Sequence, residues 1–150
     1  MRAMVFATHG GPEVLRLEDL PILEASPGQV LVRVRACGVN HIDLWAREGK
    51  LPIRIPLPHV SGSEVTGEVA QVGPGVEGVA LGQRVAIHPY LHDGTCEYCL
   101  AGEESTCLRG DILGMVSQGG YAEYVRVPAN SLVPLPEGLG FVEAAAMTLA

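Results

Sequence analysis

The chain has 150 residues, of which 47% are hydrophobic, and its formal net charge is −7. This length is enough for one compact core and little more. The negative charge, with no cluster of Lys and Arg to offset it, argues against nucleic-acid binding because phosphate backbones would be repelled. The start of the chain is too polar for a secretory signal and no apolar run could span a membrane, so we expect a cytoplasmic protein.

Short strands separated by turns are predicted along most of the sequence, as its 19 glycines and 11 prolines favour. The clearest strand is Gln29–Cys37, whose alternation predicts that Val34 and Cys37 face opposite sides. So many strands with one short early helix predict a mostly β barrel. The predicted strands are Arg2–Ala7, Leu15–Asp19, Gln29–Cys37, Ser63–Val72, Gln83–His88 and Gly120–Val127.

Two segments carry helix signals. In the first, Asn40 can cap the N-terminus, Asp43 suits the positive end of the helix dipole, and Gly49 can end the helix. The second, Phe141–Ala150, is rich in Ala, Met and Leu and has no C-terminal stop signal. We therefore expect this second helix to run to the end of the sequence and to continue in a longer natural chain.

Asp93, Cys96, Cys99 and Cys107 fall within fifteen residues, in the order Asp-x2-Cys-x2-Cys-x7-Cys. Zinc takes four ligands in a tetrahedron, and three sulfurs with one oxygen would fill it, so this pattern predicts a closed, structural zinc site. The spacing favours Asp93 as the fourth ligand, with the adjacent His92 as the alternative. Without metal, the cysteines would be free thiols, and we expect no disulfide in a reducing compartment.

The segment Gly73–Gly78 matches the G-x-G-x-x-G pattern of dinucleotide-binding loops. That loop binds phosphate only if a helix begins within it and directs its N-terminal amides at the pyrophosphate. A β-branched strand pattern follows here instead. The segment is therefore predicted to be a β-turn, and no nucleotide-binding domain is expected in this chain.

Five segments in this order resemble the medium-chain dehydrogenase/reductase family, which includes zinc alcohol dehydrogenases and quinone oxidoreductases. They are A-C-G-V-N-H-I-D, P-L-P-H-V-S-G-S-E-V-T-G-E-V-A-Q-V-G, L-G-Q-R-V, C-E-Y-C-L-A-G and G-G-Y-A-E-Y-V-R-V-P. The resemblance implies a mainly β, GroES-like substrate domain over residues 1–140, with a zinc lobe at about 91–110. It also implies that residues 141–150 begin the helix leading to a Rossmann domain, absent here, that binds NAD or NADP. We therefore expect the isolated chain to be inactive.

The resemblance implies different outcomes for the structural and the catalytic zinc sites of the family. Members of the family hold a structural zinc with four cysteines, of which Cys96, Cys99 and Cys107 match three, while Asp93 stands at the first. The catalytic zinc of the alcohol dehydrogenases uses a Cys and a His where this chain has Asn40 and Ser63. Neutral Asn and Ser bind zinc poorly, so a structural zinc and no catalytic zinc are expected.

The same resemblance suggests roles for residues of the cleft. Asn40, Asp43 and Glu64 are candidate catalytic residues: Asn40 would orient an acceptor oxygen, or serve only as a helix cap, and the two carboxylates would support the site through hydrogen bonds. His41 occupies a position near the cofactor pyrophosphate. Cys37, His59 and Glu64 are an alternative set of displaced metal ligands, although the register of the strand opposes this.

The implied function is an NAD(P)-dependent oxidoreductase that transfers hydride to a quinone or an α,β-unsaturated carbonyl. The full-length protein would act on a small molecule, as a homo-oligomer, without nucleic acid or membrane. One alternative is a zinc-dependent alcohol dehydrogenase with displaced ligands. Another is a stand-alone, zinc-stabilised β module that binds a partner.

Overall fold

An antiparallel five-stranded sheet forms the centre of the protein, and the computed structural model describes residues 1–149. The strands are β1 (Arg2–Val5), β2 (Arg16–Asp19), β3 (Gln29–Gly38), β4 (Glu64–Val72), β5 (Arg84–Ile87), β6 (Tyr90–Leu91), β7 (Asp111–Ile112), β8 (Tyr124–Pro128) and β9 (Leu132–Pro134). The α-helices are α1 (His41–Glu48), α2 (Glu97–Leu100) and α3 (Phe141–Ala145). The central sheet has the order β8-β3-β4-β5-β9, and β1 pairs with β2 and β6 with β7. No helix among the described residues is long and apolar enough to cross a membrane.

The main core is built from one face of the central sheet. Valine and isoleucine side chains of β3, β4, β5 and β8 meet there, and Leu113 closes the cluster. These β-branched residues suit both the pleated backbone and the buried surface. The buried members are Val30, Val32, Val65, Val69, Val85, Ile87, Leu113, Val125 and Val127.

The side chains of β3 do not alternate between the two faces along the whole strand, as the sequence had predicted. Val34 and Cys37 were predicted on opposite sides, but both pack against the main core. The pairing of β3 with β4 shifts register between Leu31 and Val32 and again between Val34 and Ala36. An extra residue at a β-bulge reverses the direction of every side chain that follows. Cys37 therefore turns inward, where it acts as a small apolar residue.

Helix α1 confirms the caps predicted from the sequence. Asn40 stands at the N-cap with extended backbone angles, and its N–H donates to the Asp43 carboxylate at 2.9 Å. Gly49 ends the helix with a φ of 70°, a conformation that glycine adopts without steric cost. The helix therefore begins directly after β3 and presents its N-terminus to the start of β4.

The segment Gly73–Gly78 is a turn, as predicted. The N–H of Val76 donates to the carbonyl of Gly73, and the N–H of Gly28 donates to the carbonyl of Pro74. The chain then continues into β5 and not into a helix. This loop therefore lacks the helix N-terminus that phosphate binding requires.

Helix α3 is shorter than predicted. It ends at Ala145 and residues 146–149 are not helical, while Ala150 lies outside the described residues. The N–H groups of Ala146 and Met147 bond to carbonyls three residues back, and the Leu149 N–H donates to the Glu64 carboxylate at 2.9 Å. The backbone at Leu149 is therefore bonded to a buried acceptor on β4 and not to a helical carbonyl.

We predict that Gly67→Ala destabilises the protein by about 1–3 kcal/mol, because a Cβ at Gly67 would collide with the Arg33 carbonyl across the β3–β4 pair. Urea unfolding of the 150-residue chain measures this. Ala70→Val is the matched control, since Ala70 is exposed on the same strand. Equal stability of the Gly67→Ala variant and the unmodified chain would contradict the prediction.

Candidate functional site

A compact lobe between β6 and β7 contains the clustered cysteines. The two strands pair antiparallel, with Leu91 opposite Asp111 and Tyr90 opposite Ile112. This short ladder closes the base of the loop formed by residues 92–110, in which α2 lies.

Four potential ligands converge inside this lobe. One ligand atom each from Asp93, Cys96, Cys99 and Cys107 lies within 4.8 Å of the others. The Cys96 sulfur is 3.5 Å from that of Cys99 and 3.8 Å from that of Cys107. A tetrahedral zinc with Zn–S bonds of about 2.3 Å separates its sulfurs by about 3.8 Å. The cysteines are free thiols, and their spacing fits a single zinc ion.

The two oxygens of the Asp93 carboxylate have different neighbours. Its Oδ1 accepts hydrogen bonds from the N–H groups of Thr95 at 2.6 Å and Cys96 at 2.9 Å. These bonds hold the pKa of Asp93 well below its usual range. Its Oδ2 is buried and forms an ion pair with Arg109, whose Nε lies 2.8 Å away without hydrogen-bond geometry. His92 does not belong to the converging group.

The thiols differ in acidity. Backbone N–H groups of Cys99 and Leu108 lower the pKa of Cys96 to about 7, whereas burial raises the pKa of Cys99 to about 11. In the metal-free lobe, Cys96 is therefore the more acidic of these two thiols. Because thiolates are the ligand form, a metal that binds here must displace the proton of Cys99.

A second polar cluster lies where β3, α1 and β4 meet. Asp43 is 4% exposed, and its carboxylate accepts hydrogen bonds from the N–H of Asn40 at 2.9 Å, the N–H of Gly62 at 3.0 Å and the hydroxyl of Tyr121 at 2.9 Å. Burial raises the pKa of Asp43, and these hydrogen bonds oppose that shift. Asp43 thus ties α1 to two separate loops.

Glu64 binds two partners in the same cluster. Its Oε2 accepts a hydrogen bond from the Asn40 side-chain amide at 2.8 Å, and its Oε1 accepts one from the Leu149 N–H at 2.9 Å. Asn40, Asp43 and Glu64 are therefore brought together, and their catalytic roles stay a prediction. His41 is exposed at the start of α1, with its ring 6.0 Å from that of Trp45.

The residues considered as displaced metal ligands are held elsewhere. His59 is fully buried, and its Nε2 lies 2.8 Å from the Gly114 carbonyl oxygen. Cys37 packs into the main core, where burial raises its pKa. Within residues 1–149, Cys37, His59 and Glu64 do not form a converging ligand group. Ser63 is also fully buried, and its hydroxyl donates to the Leu113 carbonyl at 2.7 Å.

Tyr121 is a member of the polar cluster that sequence reasoning missed. Its hydroxyl lies 2.9 Å from Asp43 and 3.1 Å from the Gly38 carbonyl. Burial and the neighbouring Asp43 raise the pKa of the phenol, so it stays protonated and can donate. Tyr121 follows two glycines in an alternating segment, a pattern that does not indicate a contact 78 residues away.

The comparison with protein families gives a match over most of the chain. The family described as "Alcohol dehydrogenase GroES-like domain" matches residues 26–137. This range contains the cysteine lobe and the polar cluster around Asp43 and Glu64. Leu149, which contacts that cluster, lies outside the range. It confirms the GroES-like, mainly β domain expected from the sequence.

Similar proteins carry related descriptions. An alcohol dehydrogenase of Geobacillus stearothermophilus is 44% identical over 133 residues, which is 87% of this chain and 39% of the relative. A crystal structure of an NAD-dependent alcohol dehydrogenase is 51% identical with a TM-score of 0.94, over 99% of this chain and 43% of that one. A cobalt- and zinc-bound alcohol dehydrogenase from Pyrobaculum aerophilum is 40% identical with a TM-score of 0.90, over 99% of this chain and 44% of that one.

The chain thus spans about 40% of the length of these relatives. The matched range contains, in order, the five segments that resemble the family, from the strand before α1 to the strand after the lobe. The protein therefore belongs to the alcohol dehydrogenase GroES-like domain family, within the medium-chain dehydrogenases/reductases.

Proposed function

We propose that this chain forms the substrate domain of an NAD(P)-dependent oxidoreductase that reduces a quinone or an α,β-unsaturated carbonyl. One observation carries the proposal: Asn40 and Ser63, which stand where the alcohol dehydrogenases have zinc ligands, are neutral and already hydrogen-bonded within the protein. An ion between them would meet two neutral side chains that bind zinc weakly. Residues 1–140 would form this domain, and residues 141–150 would lead toward a nucleotide-binding domain.

Asn40 would orient the acceptor. A side-chain amide has two N–H donors, and Glu64 takes one, which leaves the other for a substrate carbonyl oxygen. When a bound nicotinamide supplies hydride to the substrate carbon, negative charge develops on that oxygen, and a fixed donor stabilises it. Asp43 holds the Asn40 backbone, so the amide is constrained from two directions. His41 would contact the cofactor pyrophosphate.

The lobe would hold a structural zinc through Asp93, Cys96, Cys99 and Cys107. The ion would cross-link two distant parts of the loop and leave no coordination position for substrate. The sulfur spacing and the convergence of one ligand atom from each of the four residues support this assignment.

An alcohol dehydrogenase is the second candidate, because the relatives at 44% and 51% identity carry that description. Its catalytic zinc would require a ligand set other than Asn40 and Ser63. The two candidates differ in metal content and in substrate, so two measurements separate them.

We expect the purified 150-residue chain to contain one zinc ion per chain, and Asp93→Ala to lower its zinc affinity by removing one of four ligands. Elemental analysis and chelator competition measure this. His92→Ala is the matched control, because His92 is adjacent in sequence and outside the converging group. Loss of zinc in His92→Ala together with full retention in Asp93→Ala would contradict the ligand assignment.

In a protein that carries this chain together with its nucleotide-binding domain, we expect NAD(P)H oxidation with quinones or enones and little oxidation of alcohols. Asn40→Ala should lower kcat by roughly 100-fold, because it removes the donor at the developing oxyanion. Asn130→Ala, at an exposed position, is the control. Rapid alcohol oxidation with two zinc ions per chain would instead identify an alcohol dehydrogenase.

Tyr121→Phe should destabilise the chain by about 1.5–3 kcal/mol, because it removes a donor from the buried Asp43 carboxylate. Urea unfolding at pH 7 measures the loss. Tyr124→Phe, at a partly exposed position in the same segment, should change stability little. Similar losses in the two variants would show that the Asp43 contact is not the cause.

A further inference from the structure

Arg109 is the single Lys or Arg in residues 91–110, a segment that contains three cysteines and four acidic residues. A zinc ion held by three thiolates and one carboxylate leaves its site negatively charged. The neighbouring carboxylates add to that negative potential. Within the lobe, Arg109 is therefore the one permanent positive charge that can offset it. The acidic residues are Asp93, Glu97, Glu103 and Glu104.

The Arg109 side chain lies directly against the predicted oxygen ligand. Its Nε is 2.8 Å from Asp93 Oδ2, and its Nη2 donates to the Thr95 hydroxyl at 3.1 Å. The Thr95 hydroxyl in turn donates to Asp93 Oδ1 at 3.1 Å. These contacts close a ring of Arg109, Asp93 and Thr95 that joins the two ends of the lobe.

Both oxygens of the Asp93 carboxylate have neighbours, while the group still lies beside the thiols. Oδ2 is buried and contacts Arg109 without hydrogen-bond geometry, so the guanidinium acts on it through charge. A carboxylate oxygen of Asp93 also lies within 4.8 Å of the three cysteine sulfurs. Oδ1 is already occupied by its donors from Thr95 and Cys96.

We propose that Arg109 is a positioning residue for the metal site, which holds the Asp93 carboxylate beside the three thiols and offsets their negative charge. As an ordinary ion pair it would contribute little, because its side chain is 66% exposed. Groups that hold metal ligands from outside, however, commonly change metal affinity by 10–100-fold when removed. This inference rests on the proposed zinc site.

The test is the zinc dissociation constant of the 150-residue chain, measured by competition with a chromophoric chelator. Arg109→Gln should bind zinc about 10–100-fold more weakly. Arg109→Lys, which keeps the charge without the contact to Thr95, should lie between Arg109→Gln and the unmodified chain. Arg35→Gln is the matched control, because Arg35 forms a similar exposed ion pair with Glu68 on β4, outside the lobe.

Cobalt(II) substitution supplies a second measurement, since the visible absorption of the ion reports its coordination geometry. The tetrahedral spectrum of the unmodified chain should persist in Arg109→Lys and weaken in Arg109→Gln at equal cobalt. Unchanged zinc affinity and an unchanged cobalt spectrum in Arg109→Gln would overturn the role of Arg109 and leave the zinc site intact. Failure of the unmodified chain to bind zinc would instead overturn the zinc site itself, and Arg109 with it.

Discussion

The antiparallel pairing of β3 with β4 is the interaction on which the polar cluster of Asn40, Asp43 and Glu64 depends. It sets Gly38, the last residue of β3, opposite Glu64, the first residue of β4. A side chain at Gly38 would collide with the Glu64 carboxylate, so glycine permits this close approach. Asn40 then follows within hydrogen-bonding distance of Glu64, and α1 begins beside the new strand.

The segment after β7 links the lobe to the rest of the protein. The Leu113 carbonyl accepts the Ser63 hydroxyl, and the Gly114 carbonyl lies 2.8 Å from His59 Nε2. A metal ion bound in the lobe would therefore also restrain the backbone that contacts Ser63 and His59, two buried residues next to β4. The lobe and the cleft are parts of one folded unit, even though their ligand chemistry differs.

Local signals in the sequence were sufficient for the elements whose causes are local. The caps of α1 at Asn40 and Gly49, and the turn at Gly73–Gly78, depend on backbone conformations that a few adjacent residues determine. The cysteine spacing identified the lobe for the same reason, because its ligands lie on one loop.

Features set by distant contacts could not be read from the sequence. The bulges in β3 that turn Cys37 inward depend on how the strand pairs with β4. The contact of the Leu149 backbone with Glu64, which follows the early end of α3, joins residues far apart along the chain. The contact of Tyr121 with Asp43 and that of Arg109 with Asp93 likewise require the fold before they can be recognised.

Glu64 links the Asn40 side chain to the backbone near the end of the described residues. Its two oxygens hold the Asn40 amide and the Leu149 backbone at the same time. The carboxylate group is planar and rigid. If it rotates to follow the partner of one oxygen, the other oxygen also moves. A displacement of the Leu149 backbone would thus be passed through a single side chain to the Asn40 amide, the donor proposed to face the substrate.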